Sequence, residues 1–197
     1  MLKTKFEAFI LKEQPNIELF KEEIDYANKQ QLITEEMVVT EKNDASLFNT
    51  AYIERSNKET EEMLAEESAD FFDQPINYLH KHKHEFIYIE ASRFDIVRTD
   101  SLCIEVDDVF DTYEAILGLK LQKKHEKAIK SFLTDELKGE VKFSLLFSQA
   151  DGLWEFNFAL NGVDGFQEEM TISEACKLVY LFLFKLVWTI EENMEKK

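Results

Sequence analysis

The sequence is short of chain breakers. Two prolines and five glycines in 197 residues exclude a linker-rich or disordered chain, whose composition leans on such residues. Cysteine is as scarce: Cys103 and Cys176 each sit in an apolar run, and they form no Cys-x-x-Cys pair. That excludes a disulfide framework and makes reduced, buried thiols in a cytoplasmic protein the expectation. Basic residues are outnumbered 40 to 23, leaving a net charge of −17. Such a field repels phosphate backbones and anionic lipid, so neither nucleic acid nor membrane is an expected partner. The same acidity has a plainer use in keeping a crowded protein soluble. No apolar run is long: Leu178 to Ile190 contains Lys185 and is too short to span a bilayer. The opening Met1-Leu2-Lys3-Thr4-Lys5-Phe6-Glu7 has no apolar core of an export signal.

What remains is hydrophobic enough to fold. Apolar residues make up 45 % of the chain and 17 of them are Phe, so one domain over residues 1–197 with a bulky aromatic core is expected. Residues 1–84 read as mainly helical. Phe6, Phe9 and Ile10, then Ile17, Phe20 and Ile24, recur at helical spacing on either side of a break at Pro15-Asn16. Met37 to Thr40 reads as a short strand. Asn43-Asp44 offers an N-cap for a helix running from Ala45 into the acidic region, and Pro75 opens another that ends near His84.

The second half carries the sheet. Phe86 to Ile89 and Ser101 to Val106 are rich in β-branched and aromatic residues. A long helix is predicted from Asp108 to Leu137, stopping at Gly139. Phe143 to Ser148 and Leu153 to Leu160 flank an Asp151-Gly152 turn, the clearest hairpin signal in the chain. Trp154, Phe156 and Phe158 share one face of that hairpin and are expected in the core. Ser173-Glu174 caps a final helix reaching about Asn193. The expected class is α+β: a mainly antiparallel sheet of four to five strands in the second half. A long central helix, the apolar C-terminal helix and the N-terminal helices pack it. The C-terminal helix is apolar almost all round, so something must cover its second face. Either Phe6, Phe9, Ile10 and Phe20 fold over it in a monomer, or a second copy packs on it across a two-fold axis.

Three groups of residues carry candidate chemistry. His80, His82 and His84 would share one face of an extended segment and could ligate zinc or nickel; as a basic helix end they would instead answer the helix dipole. Asp107, Asp108 and Asp111 form Asp-Asp-x-x-Asp, a spacing that holds magnesium diphosphate in terpenoid synthases. Here it lies at a strand-to-helix junction with no second acidic motif, and reads better as an N-cap with acids in the first turn. Lys120, Lys123, Lys127 and Lys130 fall on one flank of the predicted long helix, a basic stripe that either balances internal acids or docks an acidic segment or anion. His125 sits at the rim of that helix's apolar arc and takes no role. Glu54 to Glu62 has no apolar residue and must be solvated or face a partner. Phosphate loops, nucleophile elbows and zinc-protease motifs are missing. No catalytic, cofactor or metal residue is assigned.

The run Gln149-Ala150-Asp151-Gly152-Leu153-Trp154-Glu155-Phe156-Asn157-Phe158, then Gly165-Phe166-Gln167-Glu168 and the apolar C-terminal helix, resembles a family of small acidic proteins from Gram-positive bacteria. The resemblance implies no activity. A branched-chain aminotransferase label met among such sequences is not carried over. A pyridoxal-phosphate transaminase of that type has a larger, two-domain body, and no lysine here stands in a recognisable cofactor motif. In element order, strands, helix, hairpin and helix, the second half is similar to the small acidic chaperones of secretion systems. The expectation is therefore a non-enzymatic protein–protein interaction or chaperone-like module, monomer or homodimer. The alternative is a metal-dependent enzyme built on the aspartate string or the histidine string.

Overall fold

The structure, a computed structural model, describes residues 1–139 and 143–195. Helix α1 (Leu2–Glu13) leads into strand β1 (Asn16–Leu19), helix α2 (Lys21–Lys29) and strand β2 (Val38–Glu41). Strands β3 (Tyr52–Asn57) and β4 (Met63–Glu66) follow, then a one-turn helix α3 (Tyr78–Lys81). The second half runs β5 (Glu85–Glu90), β6 (Ser101–Val106), β7 (Tyr113–Leu119), α4 (Glu126–Glu136), β8 (Phe143–Ser148), β9 (Leu153–Ala159) and α5 (Ile172–Glu195). Among the described residues no helix is long and apolar enough to cross a membrane.

The class is α+β, but the sheet is larger than expected. Seven strands lie in the order β4-β3-β5-β6-β7-β9-β8, each antiparallel to its neighbours, while β1 and β2 pair in parallel by themselves. Two strands of the large sheet come from the first half. The helix expected from Ala45 into the acidic region is instead a single 3-10 turn followed by the β3–β4 hairpin. There Arg55 reaches Glu67 at 2.6 Å and Glu85 at 3.0 Å. Charged side chains meet across strands there, which a helix reading of Glu54 to Glu62 misses. Ile17 belongs to β1 rather than to a second helix.

The long central helix is also corrected. Tyr113–Leu119 is a strand between β6 and β9, and only Glu126–Glu136 is α-helical. Tyr113, Ala115, Leu117 and Leu119 are buried while Glu114, Ile116 and Gly118 are half-exposed, the period of two that a sheet imposes. The β8–β9 hairpin is as expected: Gly152 sits at φ +69° and its N–H reaches the Ser148 carbonyl at 3.0 Å. Trp154, Phe156 and Phe158 are all buried. The final helix is capped by Thr171 rather than Ser173. The Thr171 hydroxyl accepts from the Glu174 N–H at 3.2 Å, and the Glu174 carboxylate accepts from the Thr171 N–H at 2.7 Å.

Every helix that packs on the large sheet lies on one side of it. Helix α5 is clamped between that side and the N-terminal elements. Phe182 meets Phe158 at 5.0 Å and Phe132 at 5.4 Å, while Phe184 meets Tyr26 at 5.5 Å and Phe6 at 5.9 Å. The second face of this apolar helix is thus covered from within the chain. The result is two layers, helices over sheet, and among the described residues no helix covers the sheet's other side.

Candidate functional site

The alternation that buries one side of each strand exposes the other. Registers align Glu54, Tyr88, Cys103, Ile116, Asn157 and Ser144 in one row across β3, β5, β6, β7, β9 and β8. A second row joins Ser56, Phe86 and, through β6 and β7, Glu105 and Glu114. A third carries Tyr52 opposite Glu90, and Glu155 opposite Leu146. Almost all of these side chains are half-exposed or exposed; Ser56 is buried. Tyr52 lies edge-on to Tyr88 with ring centres 6.5 Å apart, and Leu146 is 63 % exposed. Together they make a broad face of aromatic and aliphatic rungs interleaved with carboxylates.

That face is electrostatically frustrated. Glu105 and Glu114 stand directly opposite on neighbouring strands, a like-charge pairing that costs stability. Lys58 relieves one of them, reaching Glu105 at 3.3 Å and the Val106 carbonyl at 2.7 Å. Glu114 accepts a hydrogen bond from the Thr112 hydroxyl at 3.1 Å. Burial, with Asp107 and Glu105 nearby, pushes its carboxyl up from 4.5 to about 7. Burial and the carboxylates of Glu105 and Glu54 likewise push the Cys103 thiol up to about 11, so it stays protonated and poorly nucleophilic.

The three histidines of the string each meet a different partner. His80 lies in α3, with Nδ1 3.5 Å from Asp111, and packs against Tyr113 at 4.6 Å. His82 stacks on Tyr78 at 4.0 Å with its Nδ1 2.9 Å from the Tyr78 carbonyl oxygen. His84 points to Glu85 at 3.5 Å. Among the described residues no group of three or more His, Cys, Asp or Glu side chains is placed to hold a metal ion. The aspartate string forms the β6–β7 turn rather than a helix start. The Asp107 carboxylate accepts the Val109 and Phe110 N–H groups, each at 2.7 Å, Asp108 reaches Lys58 at 3.4 Å, and Asp111 takes Lys83 at 2.5 Å. The fold does bring His80 and Asp111 together, but as a contact between α3 and a turn.

The lysine stripe is broken up by the loss of the long helix. Lys120 follows β7 and pairs with Asp100, and Lys130 pairs with Glu126 one turn away at 2.6 Å. Lys123 and Lys127 remain together with Lys124 in a surface depression along α4. His125 is buried, and desolvation beside Lys124 lowers its pKa, leaving a neutral packing residue.

One polar cluster escaped the sequence reading. Glu23 is fully buried and accepts from the Phe20 N–H at 2.7 Å, from the Tyr180 hydroxyl and from the Arg93 guanidinium. Arg93 lies over the rings of Phe9 and Phe20 at 4.9 and 5.1 Å. The cluster ties α2 and the loop after β5 to α5, and its closure on all sides makes it structural. Only the capping spacing Phe20 to Glu23 hints at it in the sequence, because Arg93 arrives from a distant loop. Compared with known proteins, the chain matches no family model, no curated protein and no solved structure.

Proposed function

We propose that the chain is a non-enzymatic protein-interaction module of a chaperone-like kind, acting in the cytoplasm, and that its open sheet face receives a segment of another polypeptide. The observation that carries this reading is the uncovered side of the large sheet. Tyr88, Phe86, Ile116 and Leu146 form apolar rungs there, and among the described residues no helix lies over them; half-exposed apolar side chains gathered on one face favour an interaction site. The chemistry of the face selects its occupant. Glu54, Glu90, Glu114 and Glu155 share it with Lys58, itself held by Glu105. The partner segment is therefore one that offers Lys or Arg beside aliphatic side chains. The order of three strands, helix, hairpin and helix from β5 to α5 supports the likeness to small acidic chaperones at the level of architecture.

Site-specific photocrosslinking tests the reading. A photoreactive residue in place of Tyr88, and another in place of Glu35, exposed in the turn between α2 and β2 and outside the large sheet, as control, is introduced in cells that make the protein. Polypeptide adducts from position 88 and none from position 35 are expected; no adduct from 88 in a folded protein contradicts it. The approach of His80 to Asp111 favours a second reading, a metal-dependent enzyme using Asp107, Asp108 and Asp111 or His80, His82 and His84. Stoichiometric zinc, nickel or manganese in the purified protein, lost on His82→Ala and His84→Ala, would favour that reading instead.

A further inference from the structure

Strand β8 ends the sheet. It pairs with β9 through Phe143 to Ser148, and among the described residues no segment pairs with its outer side. A sheet edge presents a row of unpaired N–H and C=O groups, and proteins ordinarily guard such edges with lysine, proline, a bulge or a very short strand. Here the strand is Phe-Ser-Leu-Leu-Phe-Ser, six residues long, without charge or proline, in unbroken register with β9. Its Phe143, Leu145 and Phe147 lie on the helix side, where they are only half-buried.

Beside this edge lies a group of lysines on the surface of α4 and the turn before it. Lys123, Lys124 and Lys127 line a depression along α4 that also holds Lys130, Glu126 and Asp135; Glu126 is taken by Lys130, and among the described residues no carboxylate lies within ion-pair distance of the other three lysines. They are joined to the edge strand physically, because the Lys123 ammonium sits 5.6 Å over the Phe147 ring. In a chain of net charge −17, unpaired lysines next to an unguarded strand are a specific arrangement.

We infer that β8 accepts an extended acidic segment of another protein as an added strand, with alternate carboxylates of that segment reaching Lys123, Lys124 and Lys127. Backbone hydrogen bonds to β8 supply affinity and the lysines supply selection, as in strand-addition recognition generally. A second copy of this chain fits the edge less well. Pairing β8 with β8 about a two-fold axis places both helix layers on the same side of the joined sheet, which brings lysine against lysine. The site is separate from the open face, so either surface can fail its test without the other.

A blocked nine-residue peptide, Glu and Thr alternating on one side of the strand with Val on the other, is titrated against the full chain. Saturable binding is expected, weakened at least tenfold by Lys123→Glu with Lys127→Glu. It should be weakened as much by N-methylating alternate peptide amides, which removes strand pairing but keeps the charge. Lys12→Glu with Lys21→Glu, an equal charge change at exposed positions of α1 and α2, should change binding by less than threefold. No saturation at millimolar peptide, indifference to N-methylation, or an equal loss in the control variant overturns the inference. So does a homodimer that Leu145→Pro dissociates into folded monomers.

Discussion

Glu114 shows what a single residue records about the open face. Its carboxyl is held at about 7 because burial and two neighbouring acids penalise the charged form. The folded state therefore holds its proton more tightly than the unfolded chain does. Stability from this group is fullest below about pH 4.5 and falls as pH rises toward 7, after which the penalty is constant. Glu114→Gln keeps a partner for the Thr112 hydroxyl and removes the charge. It should raise stability at pH 8 by about 1–2 kcal/mol, discounted for solvent screening, and flatten the loss between pH 5 and 7. Denaturant melts at pH 5 and pH 8 check this; a variant less stable than the parent at pH 8 contradicts the frustration argument. Phe156 makes the opposite case on the buried side. It is 1 % exposed and stacks on Phe158 at 4.8 Å, so Phe156→Ala should cost about 3–5 kcal/mol. A melting point within a degree or two of the parent would contradict its place in the core.

At the scale of elements, the sequence was legible where local chemistry and tertiary context agree. Asp151-Gly152 supplies the positive φ of the β8–β9 turn, and the alternation of Trp154, Phe156 and Phe158 names the buried side before any neighbour is known. Strand β7 reads as helix in the sequence because Tyr113, Leu117 and Leu121 satisfy a spacing of four, while Tyr113, Ala115, Leu117 and Leu119 satisfy a spacing of two; only pairing with β6 and β9 decides between them. Strand β3 gave no signal, since its Tyr-Ile-Glu-Arg-Ser-Asn is polar and finds its stability in Arg55, which ties it to Glu67 and Glu85. The open face was illegible for a related reason. Its residues come from six strands and become neighbours only through strand order. Helix α5 carries its own prediction. Phe184 is 1 % exposed and touches Phe6, Tyr26 and Trp188, so Phe184→Glu should bury an unpaired carboxylate and abolish the cooperative melt. Sedimentation showing a dimer that parts into folded, cooperatively melting monomers would instead place Phe184 in a symmetric interface.

At the scale of the molecule, the two layers divide the labour. The helix side holds the aromatic core, the Glu23–Arg93–Tyr180 tie and the stability of the fold. The open side holds half-buried apolar rungs among carboxylates that repel one another, an arrangement that weakens the free protein and that the proposed cationic, partly aliphatic segment would relieve. Salt should therefore weaken partner binding without weakening the fold, since exposed charges are screened within about 8–10 Å at 0.1–0.15 M. The most direct measurement pairs melting temperature with the yield of partner adduct for Ile116→Lys, read from a photoreactive residue at position 88. Lysine at 116 can extend its ammonium into the water beside Glu114 and Glu105. The account predicts a melting temperature within about 3 °C of the parent and a fall in adduct of tenfold or more. An unchanged adduct yield in the folded variant, or a variant that no longer folds, would contradict an open sheet face that binds polypeptide.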